Sequence, residues 1–327
     1  MKTLIVMLVL AGVAHADDKK CVVEKPVVAK PASVKAPPCH RASAKLQKTI
    51  ATELTKAYHP ERGGKPVVKF PCDGLGSTIY EIVLETGHGH GGSLDLWRAR
   101  RRADGKYDVR GIIYRGSSMV HKAAAVPHEQ ASGIVELPEL DRARAAMTAT
   151  LREVVPPAKP GEGFGMSSSF SSRDSHTVLR FVDHEGRVVE RRYTGYASSS
   201  AQDTYLGLEL AQRALAPIWQ LAPSKAAADH DDRAFFAASF NAAVPHFGTD
   251  FYWWVMERYV DLARFLGTPA VIGGLVTRLT VTKPGDRSQT DARADAVDAL
   301  AKITGWDARA GGKSVEDAAK AYLAACK

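Results

Sequence analysis

Residues 87–92 read Gly-His-Gly-His-Gly-Gly, and the two imidazoles among them are the most reactive pattern in the chain. Side chains two apart on an extended segment point the same way, and neutral imidazole is a common zinc ligand. A catalytic zinc centre takes three protein ligands and leaves one position open. His88 and His90 would therefore need a third ligand, drawn from His121, His128, His176 or His184. Glu85 and Asp95 flank the motif and could orient a ring. Against a metal site, the chain contains no HExxH or HxxEH spacing, and four glycines are a poor frame for preorganised ligands. The expectation is a hairpin loop and no cofactor. The alternative is a zinc-dependent hydrolase built on His88 and His90.

Other reactive patterns are incomplete. Gly312-Lys313-Ser314 has the ending of a phosphate-binding loop, but Asp307 occupies the place of its first glycine, where a carboxylate would repel phosphate. Loop plus helix N-cap is the better reading. Serines cluster at 167–169, 171–172 and 198–200 without the GxSxG turn that exposes a nucleophile. Asp229-His230-Asp231-Asp232 precedes a helix, where acids are favoured without any ion. Arg98, Arg100 and Arg102 alternate along one strand and so share a face, with Arg110 and Arg115 on the next strand. Such a stripe protects a strand from edge pairing, and it also suits the carboxylates or phosphates of an acidic ligand. Arg98, Arg100 and Arg102 are the candidate ligand patch.

The N-terminus addresses the chain. Lys2, an apolar run from Leu4 to Val13, and Ala14-His15-Ala16 form a Sec-type signal peptide over residues 1–16. The run is too short to span a bilayer, and no other stretch is long and apolar enough, so the mature form is expected to have no membrane span. Asp18-Lys19-Lys20 before Cys21 excludes a lipobox. The protein is expected to be periplasmic or secreted. In that oxidising setting Cys21, Cys39, Cys72 and Cys326 are disulfide candidates. Cys39–Cys72 with Cys21–Cys326 is the preferred of three connectivities, and a free, buried Cys326 is the alternative. A formal charge of +8 suits an envelope or extracellular partner and acidic polymers. It does not by itself indicate nucleic acid, and no nucleic-acid-binding motif accompanies it.

These residues must be positioned by an α+β fold. Residues 17–42 form a linker stiffened by Pro26, Pro31, Pro37 and Pro38. Helical spacing covers Ser43 to Tyr58. Period-two segments follow from 77–85, 93–102, 106–115, 165–172, 175–183 and 187–196, with hairpin turns at Asp104-Gly105 and His184-Glu185-Gly186. Helices are predicted over Pro138–Val154 and Gln202–Gln220. The order reads as antiparallel hairpins with packed helices, arranged as two copies of a strands-then-helix unit, 67–155 and 164–222, within an α+β domain at 43–222. An all-helical part follows at 230–327. There Gly267 and Gly305 stop helices, Thr268 caps one with Pro269 in its first turn, and Ser314 begins the last with Asp317 in a capping box.

The stretch LARFLGTPAVIGGLVTRL followed by DARADAVDALAKITGWD resembles HEAT-type helical repeats, over roughly residues 250–310. Arg293, Ala296, Ala299 and Leu300 follow the third-helix pattern of that family. The resemblance implies stacked helix pairs that serve protein contacts and brings no catalytic residue. Together the features point to an exported, non-catalytic binding or scaffold protein, with an envelope or extracellular protein or an acidic polymer as partner.

Overall fold

A computed structural model describes residues 41–58, 65–88, 93–115, 129–154, 175–194, 199–223, 230–244, 253–281 and 287–326. The expected signal peptide, the proline-rich segment, Cys21, Cys39, His90, His121, His128 and the segment 165–172 lie outside these.

Helix α1 (Ala44–Ala57) starts where Ser43 accepts the Leu46 N–H at 3.3 Å, and it buries Ile50 and Leu54. Strand β1 (Lys65–Lys69) follows. The main sheet is then built from β2 (Ile79–His88), β3 (Ser93–Arg101), β4 (Tyr107–Arg115) and β5 (Glu129–Val135). Helix α2 (Leu140–Thr148) leads into β6 (Thr150–Val154), which pairs antiparallel with β1 as a separate two-stranded sheet. Strands β7 (Ser175–Asp183) and β8 (Val188–Thr194) return to the main sheet, whose order is β5-β4-β3-β2-β7-β8, antiparallel throughout. The two tight turns form as their residues dictate. Gly105 and Gly186 sit at φ 83° and 76°, where a Cβ would be strained. Beside them Asp104 accepts the Lys106 N–H, and Asp183 accepts those of Glu185 and Arg187.

Helices cover both faces of this sheet, because strand alternation makes both apolar. One face presents Ile82, Leu84, Trp97, Ala99, Val109, Leu179 and Phe181 to α1, α2, α3 (Ser199–Ala214) and the short α4 (Ala216–Trp219). Close packing there depends on Gly207, where a Cβ would come within 2.7 Å of the Ala146 carbonyl oxygen. The other face presents Val83, Leu94, Leu96, Ile112 and Tyr114 to the C-terminal helices. These are α5 (His230–Ala243), α6 (Trp253–Leu266), α7 (Ile272–Val281), α8 (Arg287–Thr304) and α9 (Val315–Ala325). Phe236, Phe240, Tyr259 and Leu262 complete that core, so the helical part shares one apolar interior with the sheet. Among the described residues no helix is long and apolar enough to cross a membrane.

The expected α+β fold, antiparallel hairpins with packed helices and a helical C-terminal part, is the one observed. Three boundaries differ. The helix predicted over Pro138–Val154 stops at Thr148, and Thr150–Val154 is a strand; pairing with Lys65–Lys69 overrides the local helical spacing. The helix predicted over Gln202–Gln220 breaks at Leu215, because Pro217 has no N–H to continue the ladder. Thr268 precedes a 3-10 turn, Pro269–Val271, and its side chain makes no cap hydrogen bond. Ser314 does cap α9, accepting the Asp317 N–H at 3.1 Å while its hydroxyl donates to the Asp317 carboxylate.

Candidate functional site

At one end of the sheet, the backbone of Gly87 pairs with Leu94 and His176, and that of His88 with Ser93 and Ser175. The register therefore places position 88 and His176 on opposite faces of the sheet. Of the other candidate ligands, His184 sits exposed at the far end in the β7–β8 turn, its ring 5.1 Å from that of Tyr80. Among the described residues no group of three His, Cys, Asp or Glu side chains could hold a metal ion.

The carboxylate expected to orient an imidazole does so, but for a histidine outside the glycine-rich motif. Glu85 Oε1 lies 3.1 Å from His176 Nε2, which donates because an ionised carboxylate can only accept. The same oxygen accepts the hydroxyl of Tyr259 from α6. His176 is 2% exposed, Glu85 4% and Tyr259 not at all. Burial, and next the charge of Glu85, hold the Tyr259 phenol well above its ordinary range. A second link lies nearby: Tyr114 on β4 donates to Asp261 on α6 at 3.2 Å, and burial followed by the Asp261 charge pushes this phenol up to about 12. Carboxylate, imidazole and phenol could transfer protons in an open cleft. Enclosed here, they bolt the sheet to α6. By its spacing from Leu262 and Leu266, Tyr259 is one residue of an apolar helix face. A tyrosine at a fully buried position needs a partner for its hydroxyl, and that was the available signal.

On the same face, the rows nearer the two tight turns carry the arginines. The register aligns Glu190, Arg180, Val83, Arg98, Arg110 and Ser132 across all six strands. Arg180 is bound to Glu190 at 2.5 Å, and Arg192 in the neighbouring row reaches the same carboxylate at 2.6 Å. Arg110 lies 3.9 Å from Asp232, which accepts from Gln130 at 2.6 Å. Arg98 is 8% exposed, with its guanidinium 5.1 Å from the centre of the Phe235 ring on α5. Burial, and then the charge of Arg100, lower its pKa.

The predicted patch is thus divided by the structure. Arg98 is buried. Arg100 is exposed and paired with Glu81 at 2.5 Å, a contact that raises its pKa. Arg102 falls beyond the end of β3, in the turn, with Nε 3.3 Å from Asp104. Arg115 pairs with Ser93 at the opposite end of the sheet and does not join the row. Sequence alternation along β3 found Arg98 and Arg100. Arg180 joins them through the β2–β7 pairing, which no local pattern encodes.

No protein-family model, curated protein or solved structure matches this chain.

The arginine rows are only partly roofed by helices. Val188 and Ile134, at the two ends of the row containing Arg100, are 52% and 54% exposed. This half of the face combines accessible cations, carboxylates and apolar side chains, a mixture suited to holding a partner by charge and shape.

Proposed function

We propose that this chain is an exported binding or scaffold protein of the cell envelope or extracellular space, and that an acidic partner engages the arginine-bearing half of the sheet. The observation that carries this reading is the row of Arg180, Arg98 and Arg110 beside the exposed Arg100. Guanidinium groups hold carboxylate or phosphate by paired N–H donors. Binding without catalysis is supported by the enclosure of the Glu85, His176 and Tyr259 cluster, whose proton-transfer groups are engaged with one another between two layers. Export is supported by the signal-like residues 1–16 and by Cys72 and Cys326, each disulfide-bonded. The HEAT-like helices suit a scaffold, with α7 packed on α8 and α8 on α9.

The test is elution from an immobilised polygalacturonate matrix over a salt gradient, using protein exported with its own leader. Retention that falls with salt, and is weakened when Arg98→Met, Arg100→Gln and Arg102→Gln are combined, is the expected result. Retention equal in both proteins would refute an arginine-mediated contact. Recovery of the chain with its leader uncleaved from the cytoplasm would refute export.

A further inference from the structure

Arg98 and Arg110 occupy directly opposed positions on neighbouring strands, pointing to the same face. Like charges in that relation destabilise a sheet unless something offsets them. Arg110 has Asp232 at 3.9 Å and a side chain that is 35% exposed. Arg98 is in a different position. It is nine-tenths buried, and among the described residues no carboxylate lies within ion-pair distance of it. Its close contact is the Phe235 ring, which uses the positive charge but leaves the N–H donors around the guanidinium edge for another acceptor. Glu81, Asp231 and Asp232 act on it only through space, and Arg100 opposes them. A cation so enclosed and so incompletely neutralised is costly to the fold on its own.

We propose that Arg98 and Arg110 together bind one oxyanion group, a carboxylate or phosphate, entering from the exposed Arg100 side of the sheet. This rests on the binding reading above and names the ligand chemistry at its centre. The group would accept from both guanidinium edges, with Phe235 closing one side and the cross-strand spacing setting the bite. The adjacent acids restrict the site to a single anionic group. Asp232 is already engaged by Gln130, and Asp231 and Asp232 on the α5 side would repel a second negative charge. A polymer would therefore present one acidic group here and lie across the Arg100 row with the rest.

The experiment follows the arginine Nε–Hε signals of the whole mature protein while inorganic phosphate, galacturonic acid or polygalacturonate is added at constant ionic strength. Saturable shifts of the Arg98 and Arg110 signals are expected, with binding weakened about tenfold or more in Arg98→Met and in Arg110→Gln. Arg110→Gln changes a partly exposed side chain, so it still reports should Arg98→Met fail to fold. Non-saturating shifts, or equal shifts in wild type and both variants, would overturn the site. Phosphate binding without any affinity for galacturonate or its polymer would support the oxyanion site and remove the acidic-polymer reading. Polymer retention that survives unchanged in both variants would support that reading and overturn the site.

Discussion

Tyr259 on α6 donates its hydroxyl to Glu85 on β2, and both side chains are buried where the helical layer meets the sheet. Glu85 also accepts from His176 on β7, so one carboxylate joins three elements that are far apart in the chain. Such a contact contributes little net free energy when made, but much is lost when half of it is removed.

Tyr259→Phe therefore keeps the ring and its contacts with Phe236 and Phe240 but strips a donor from a buried charge. The expected loss is about 1.5–3 kcal/mol, read as a lower urea midpoint at unchanged slope. An unchanged midpoint would mean that the bolt is not stabilising.

The same interface predicts alkaline sensitivity. The folded-state pKa of Tyr114 stands at about 12, against an ordinary 10.0, and Tyr259 lies well above its ordinary value. Stability from these phenols is complete below pH 10.0 and is lost as pH rises through the folded values. Spectrophotometric titration should find ordinary tyrosines ionising first and a delayed step that Tyr114→Phe diminishes. A single transition near the ordinary value, in folded protein, would contradict the buried geometry.

On the opposite side of the sheet, Arg144 of α2 and Asp73 form an ion pair in which each side chain is 3% exposed. Arg144 also donates to the Leu75 and Gly76 carbonyls at 3.2 and 2.8 Å, fixing the segment that leads into β2. Arg144→Ala should cost about 3–5 kcal/mol by leaving a buried carboxylate unpaired. Asp73→Ala in the same background should cost much less than it does alone. Additive losses in that double-mutant cycle would show that the pair is not coupled.

The binding reading also makes a prediction for the glycine-rich motif at 87–92. Mature protein should carry no stoichiometric zinc, and His88→Ala with His90→Ala should leave its unfolding temperature and its retention on polygalacturonate unchanged. Zinc at one equivalent, lost in that variant, would replace the binding reading with the metal-dependent hydrolase.

Asp183 gives the acid counterpart of the tyrosine argument and shows how local sequence acts. Burial pushes its carboxyl up, but the Gly76 N–H and the Arg187 side chain and N–H hold it below the usual 3.8. The turn residues are adjacent in sequence, and their pattern could be read directly. Gly76 is not adjacent and could not.

That distinction runs through the molecule. Hairpin turns, the Ser314 cap, the strand alternation and the helical C-terminal part were legible, because each depends on residues within a few positions of one another. The fate of Thr150–Val154 was not, because a partner strand at Lys65–Lys69 decides it. The site divides in the same way. Alternation along β3 placed Arg98 and Arg100 on one face, and the sequence determined that much alone. Only the tertiary structure decided that Arg98 is enclosed beneath Phe235 while Arg100 meets solvent, that Arg180 extends the row, and that Glu85 serves His176 and Tyr259. The physical reason is that burial and partnership of a charged side chain are set by which strands pair and which helix lies across them. Those relations join residues separated by most of the chain.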